Sequence, residues 1–211
     1  MYTQSCVLSR ASHYSTPFGD MAIDQGVYAE LRATGAFEGM DLAVDEDEHS
    51  LEMHLPYVHH VMGSREFTIV PIMVGSLSYQ REEEYGKLLA RYIDDPDNVF
   101  VVSSDFCHWG QRFRYTFWDQ SLGAVHQCIE ALDRKGMRLI EEGDPAKFHQ
   151  YLKEFKNTIC GRHPIAVLLH VLRHCAARHS ARFVRYEQSS RCTSLSDSSV
   201  SYASALITLA P

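Results

Sequence analysis

Strand-like and helix-like segments alternate along this 211-residue chain, and the alternation constrains its fold more than any other feature. A β-branched and aromatic run over 98–102 predicts a buried strand, and 67–74 predicts an edge strand because it contains Pro71. Two further strands are predicted over 182–187 and 200–209. Helical spacing of apolar residues is found over 23–31, 51–62, 78–92, 118–134, 144–155 and 164–172. These patterns predict an α/β fold with one mixed sheet flanked by helices on both faces.

The bulk composition excludes several classes of protein. With 45% hydrophobic and 22% charged residues, the chain is typical of a globular protein, and we predict a single domain over 1–211. A formal charge of -7 argues against nucleic-acid binding. No apolar run approaches the ~20 residues that cross a bilayer, so no direct membrane insertion is expected. Six cysteines without a C-x-x-C pair, and an N-terminus without a signal-peptide core, predict a cytoplasmic protein.

Polar side chains crowd into residues 103–110, directly after the predicted strand at 98–102. In open α/β sheets, pockets form beyond the carboxyl ends of strands. Asp105 and His108 are therefore predicted to line a catalytic or binding cleft. An ordinary loop with an Asx turn is the alternative, but the crowding of Asp, Cys, His and Trp favours a site.

A second polar segment, 157–165, opens a predicted helix that has Pro164 in its first turn. Cys160 lies just before this helix N-terminus, beside Arg162 and His163. The helix dipole and the neighbouring cation both favour a thiolate. Such a thiolate can be a nucleophile or a soft metal ligand, and an inert buried cysteine is the alternative.

His49 and Glu52 are three residues apart in a predicted helix, so their side chains can share a proton or a metal. A solvated polar face explains them equally well. Transition-metal sites need three or four converging ligands. His108 and Cys160 are good candidates, with Asp105, His49 or Glu52 as the third. From these residues alone, a polar pocket is better supported than a metal centre.

Four sequence blocks carry a resemblance to a known family: 45–57, 101–115, 157–165 and 197–203. From about Cys6 onward, after a divergent start at 1–5, the chain resembles the Memo family, cytosolic proteins named as mediators of receptor-tyrosine-kinase-driven cell motility. The resemblance implies an extradiol-dioxygenase-like fold, in which the dioxygenases hold non-haem iron in a cleft at one edge of an α/β sheet. It also implies a cytoplasmic location, with the nucleus as a second one.

The resemblance assigns roles to three residues. His108 matches the acid/base histidine of the dioxygenases, Asp105 lines the same cleft, and Cys160 matches the position of a carboxylate iron ligand. A thiolate there favours copper, or iron of altered reactivity. Family members carry an upstream segment that supplies two further metal-binding histidines and the first strands of the sheet. We therefore expect an incomplete metal site, formed by Cys160 and His108, in a sheet that lacks its first strands.

Three functional hypotheses follow from the resemblance. The first, which we favour, is a non-enzymatic adaptor whose cleft binds a phosphotyrosine-containing receptor tail or adaptor peptide and promotes motility through the microtubule cytoskeleton. The second is a copper- or iron-binding redox protein or dioxygenase-like enzyme. The third is a poorly folded fragment with exposed sheet edges. For the adaptor, Arg112, Arg114 and Arg162 would bind the phosphate through charge-assisted hydrogen bonds. The other expected ligand-binding residues are Trp109, His49 and Glu52.

Overall fold

The computed structural model describes residues 3–210, which form two compact units that divide between Arg81 and Glu82. The first unit contains β1 (Cys6–Leu8), β2 (His13–Thr16), β3 (Gly19–Ala22), α1 (Gln25–Ala33), β4 (Phe37–Gly39), α2 (Leu42–Glu46), α3 (His49–Glu52), α4 (Leu55–Met62) and β5 (Ile72–Val74). Helix α5 (Tyr79–Ile93) begins at its end. The second unit continues with β6 (His108–Trp109), α6 (Val125–Glu141), α7 (Pro145–Phe155), α8 (Arg162–His174), β7 (Arg178–Gln188) and β8 (Ser199–Ala210).

The α/β class is confirmed, but the strands are divided among three sheets instead of one. In the first unit, β1 lies between β4, which is parallel to it, and β5, which is antiparallel, so this small sheet is mixed. Strands β2 and β3 form a separate hairpin. In the second unit, β8 lies between β6 and β7, and both pairings are antiparallel. The late strands predicted over 182–187 and 200–209 are both present and longer than expected.

The predicted buried strand at 98–102 is wrong. These residues are not assigned to a strand, and Val99 and Val101 are 85% and 56% exposed. A run of β-branched residues indicates side chains that pack well on a sheet. A strand also needs a neighbouring strand with which its backbone groups form hydrogen bonds. Within residues 3–210, no strand pairs with this segment.

Two predicted helices differ from the observed ones because of local backbone signals. The helix expected over 118–134 begins only at Val125, since Gly123 has a φ of +97°, and Leu122, inside the expected helix, is 45% exposed. The helix expected over 51–62 is divided into α3 and α4. Pro56 lies in the first turn of α4, where a missing N–H costs nothing, so it does not kink a continuous helix.

One hydrophobic core organises the second unit. Trp109, Ile129, Phe148, Tyr151 and Leu169 are all buried in it, drawn from β6, α6, α7 and α8. These elements hold the ends of two loops, 103–107 and 156–161, in fixed places. Among residues 3–210, no helix is both long and apolar enough to cross a membrane.

Candidate functional site

The two polar segments predicted from the sequence meet in the second unit. One ligand atom each from Asp105, His108 and Cys160 lies within 4.8 Å of the others. Asp105 precedes β6, His108 begins it, and Cys160 lies two residues before α8. The predicted meeting of an imidazole and a thiol across one cleft is therefore observed, with Asp105 as the third group.

The cleft is open to solvent. Cys160 is exposed, and the side chain of Asp105 is 45% exposed. The backbone N–H of Asp105 donates to the Cys160 sulfur at 3.1 Å. A carboxylate oxygen of Asp105 lies 3.7 Å from Nε2 of His108, too far for a direct hydrogen bond but close enough for both to contact one bound atom.

The imidazole of His108 is held in one orientation by two carbonyl groups. Its Nδ1 lies 3.0 Å from the carbonyl oxygen of Phe106 and 3.1 Å from that of Thr158. Carbonyl oxygens only accept hydrogen bonds, so Nδ1 carries the proton of the neutral ring. The lone pair of Nε2 then faces Asp105 and Cys160, as in histidines that bind metals or accept protons.

Thr158 is a site residue that the sequence reasoning missed. Its hydroxyl accepts from the backbone N–H of His108 at 2.8 Å and donates to the carbonyl of His108 at 2.9 Å. The loop that carries Cys160 is thereby joined to the start of β6. The sequence signal that could have indicated Thr158 is its position between Asn157 and Cys160, inside the polar segment.

Gly161 permits the close approach of the two loops. Its N–H donates to the hydroxyl of Ser104 at 3.1 Å. A Cβ at this position would lie 2.4 Å from the Cβ of Ser104 and 2.5 Å from the carbonyl oxygen of Ser103. No larger residue fits without separating the loops.

Two arginines predicted to bind phosphate lie near the cleft. The guanidinium of Arg112 lies 4.4 Å from the ring centroid of Phe113, and that ring contacts His108 edge-on at 5.1 Å. Arg162 is the first residue of α8 and is exposed. Its neighbour His163 pairs with Glu82, at 2.7 Å between Nδ1 and the carboxylate.

Trp109 lies in the core and not at the cleft surface. Its side chain is 0% exposed, and its indole N–H donates to the carbonyl of Phe117 at 2.8 Å. Successive strand residues point to opposite faces, which explains why Trp109 is buried while His108 faces the cleft. A direct role of Trp109 in ligand binding stays a prediction.

His49 and Glu52 lie in the first unit, on α3, and both are exposed. Within residues 3–210, the donor group formed with His108 and Cys160 contains Asp105 and neither of these two residues. The acidic run before α3 has structural contacts: Glu48 caps α3, and buried Asp45 accepts from the hydroxyls of Ser9 and Tyr14. Ligand binding by His49 and Glu52 stays a prediction.

Because Cys160 is exposed, we expect it to react first with a thiol-modifying reagent. In the native protein, iodoacetamide should modify Cys160 before the other five cysteines. Burial raises the pKa of the Cys6 thiol to about 12 and raises those of Cys107, Cys128 and Cys192, so these thiols stay protonated and unreactive at neutral pH. Time-resolved peptide mapping by mass spectrometry measures the order. Partly exposed Cys175 is the internal comparison, and its faster labelling would contradict the prediction.

Comparison with known proteins shows the family to which this chain belongs. The family model described as Memo-like protein matches residues 1–206. The chain belongs to the Memo family. Protein MEMO1 of Homo sapiens is 54% identical over 209 residues, covering 97% of this chain and 70% of the relative. Protein MEMO1 of Danio rerio is 55% identical over 203 residues, covering 94% and 68%. The protein memo-1 homolog of Caenorhabditis elegans is 46% identical over 211 residues, covering 98% and 60%.

Membership of the Memo family confirms the resemblance drawn from the sequence blocks. Two of those blocks, 101–115 and 157–165, are the segments that the structure brings together around His108 and Cys160. The blocks that identify the family therefore include the candidate site.

Proposed function

We propose that this Memo-family protein binds a transition metal, copper or iron, at Asp105, His108 and Cys160 and acts in redox chemistry. The observation that carries the proposal is the convergence of three donor atoms of different chemical type within 4.8 Å in an open cleft. Three converging donors meet the lower limit for a protein metal site.

The donor set fits this class of metal. A thiolate and an imidazole are the ligands that copper, zinc and iron prefer, and the sulfur shifts the preference toward softer ions. In the neutral ring of His108, Nε2 is the nitrogen left free for a metal, because the carbonyl groups of Phe106 and Thr158 accept from Nδ1–H. When bound, copper or iron supplies one-electron chemistry at this site. If one carboxylate oxygen of Asp105 binds the metal, its second oxygen is left to accept a proton beside it.

The test is a metal titration of the purified chain. With Co²⁺ as a spectroscopic probe, and with Cu(I) and Fe(II), we expect one equivalent to bind and a thiolate-to-cobalt absorption band that Cys160→Ser removes. Binding should strengthen as pH rises because any thiol releases its proton when it binds a metal ion. Cys175→Ser is the matched control and should leave the band unchanged. No binding, or binding that Cys160→Ser leaves intact, would refute the proposal.

A second candidate function is supported by the basic side chains beside the cleft. In this second proposal, the protein is a signalling adaptor that binds a phosphotyrosine-containing receptor tail or adaptor peptide and promotes cell motility through the microtubule cytoskeleton. Arg112 and Arg162 are exposed, in a chain with a net charge of -7. Because Arg112 packs on Phe113, its guanidinium is kept near His108 and can form charge-assisted hydrogen bonds with a phosphate.

The adaptor proposal is tested with a fluorescent phosphotyrosine peptide and its unphosphorylated twin. We expect tighter binding of the phosphorylated peptide, and weaker binding after Arg112→Ala or Arg162→Ala. Arg134→Ala is the matched control because Arg134 is engaged by Glu130 at 3.2 Å. Equal affinities for the two peptides would eliminate the adaptor. The metal titration is independent of this result.

A further inference from the structure

A fully buried carboxyl group connects the elements behind the candidate site. Asp133, on α6, is 0% exposed. One of its oxygens accepts from the side-chain amide of Asn157 at 2.9 Å. The other accepts from the hydroxyls of Ser201 at 2.5 Å and Tyr186 at 2.9 Å. Burial raises the pKa of this carboxyl group above its ordinary value. A polar group so deeply buried costs free energy unless it is hydrogen-bonded. The need to satisfy Asp133 therefore fixes the positions of its hydrogen-bond donors, Asn157, Ser201 and Tyr186.

Two of the three contacts lead to the cleft. Asn157 immediately precedes Thr158, whose hydroxyl and carbonyl groups hold the backbone and ring of His108. Ser201 pairs through its backbone with the segment before β6: its carbonyl accepts from the N–H of Phe106 at 2.8 Å, and its N–H donates to the carbonyl of Cys107 at 3.0 Å. One carboxyl group therefore joins both loops of the site.

The third contact leads elsewhere. The hydroxyl of Tyr186 accepts from the side chain of Gln188 at 3.0 Å, and the guanidinium of Arg134 lies 4.8 Å from the centre of its ring. The bond from Tyr186 to Asp133 thus joins β7 to α6, and Tyr186 belongs to neither loop of the site. It provides a control for the two contacts that reach the cleft.

We infer that Asp133 is the positioning residue of the Asp105–His108–Cys160 site, acting through Asn157 and Ser201 to fix the orientation of His108 relative to Cys160. The inference rests on the proposed function for the role of Asp105, His108 and Cys160 as metal ligands. The orientation of the His108 ring can be measured in the metal-free protein.

The experiment is a ¹H–¹⁵N correlation spectrum of the His108 ring in the metal-free protein, at a pH where the ring is neutral. In the wild type, the Nδ1–H form should dominate. In Asp133→Ala, the side chain of Asn157 keeps its bond to the Tyr151 hydroxyl at 2.8 Å but loses the one to Asp133, so the bond from Nδ1–H to the Thr158 carbonyl should weaken and the Nε2–H form should rise. Asp133→Asn should restore the wild-type spectrum because its amide oxygen still accepts from Asn157.

Two variants separate positioning from general stability. Asn157→Ala should reproduce the spectrum of Asp133→Ala, whereas Tyr186→Phe, which also removes one bond to Asp133, should leave His108 unchanged. If Asp133→Ala does not fold, this pair decides the question. An unchanged His108 ring in Asp133→Ala or Asn157→Ala would overturn the inference, and so would an equal change in Tyr186→Phe.

Metal affinity gives a second readout. The groups that orient a ligand histidine are worth ~10-fold or more in metal affinity, so Asp133→Ala, which loosens the loop of Thr158 and thereby His108, should bind Co²⁺ about 10-fold more weakly and Tyr186→Phe should bind it normally. A wild-type protein that binds no metal would refute the proposed function. The spectrum of His108 would still decide whether Asp133 positions the ring.

Discussion

Replacing Gly161 with alanine is expected to separate the two loops of the candidate site and to destabilise the protein. The new Cβ would lie 2.4 Å from the Cβ of Ser104 and 2.5 Å from the carbonyl oxygen of Ser103. The second contact is to backbone, which cannot rotate away, so the loop that carries Cys160 must move. Overpacking of this kind costs about 1–3 kcal/mol of unfolding free energy. Displacement of the Cys160 sulfur should also reduce Co²⁺ affinity by at least about 10-fold.

Urea unfolding and Co²⁺ titration measure the two effects of Gly161→Ala. Gly26→Ala is the control because Gly26 lies in α1, where alanine favours the helix and the added Cβ meets only the Asp24 side chain, at 3.2 Å. A Gly161→Ala protein with wild-type stability and wild-type Co²⁺ affinity would show that the loops do not need this close approach.

Trp109→Ala is expected to lower the free energy of unfolding by about 3–5 kcal/mol, as is typical of large-to-small changes in a core. The indole ring is 0% exposed within the core cluster of the second unit, and its loss leaves a cavity beside β6. It also leaves the carbonyl of Phe117 without the indole N–H that bonds it at 2.8 Å. Chemical denaturation monitored by circular dichroism measures the loss.

Trp118 offers a matched comparison for Trp109. Its indole N–H also donates to a carbonyl, that of Gly123 at 2.9 Å, but the side chain is only partly buried. Trp118→Ala should therefore cost less than half as much. Equal losses for the two variants would show that burial in the core does not account for the effect of Trp109.

The meeting of His108 and Cys160 was predicted from the family resemblance and only in part from local patterns. A helix with proline in its first turn placed Cys160 near the N-terminus of α8, but the strand predicted before His108 at 98–102 is absent, and His108 begins β6. The residues that hold the two loops together could not be found from such local patterns. Thr158 and Gly161 act through distances between segments about fifty residues apart in sequence, and local patterns contain no such distances.

Other errors have equally local causes. The apolar run at 98–102 showed which side chains suit a strand but not whether a neighbouring strand is present to pair with them. The periodicity from Trp118 onward was correct in its later part, yet Gly123 delays the helix to Val125. Asp133 lies among charged positions on an amphipathic helix, so its burial could be learned only from what β7 and β8 place against it.

The pairing of β6 with β8 has a consequence for biosynthesis. His108 lies opposite Val200, and Ser201 bonds to Phe106 and Cys107, so the first loop depends on the element that the ribosome makes after all the others described. During translation, Cys160 therefore emerges well before the scaffold that brings His108 to it. A nascent chain can acquire the Asp105–His108–Cys160 arrangement only after β8 has left the exit tunnel.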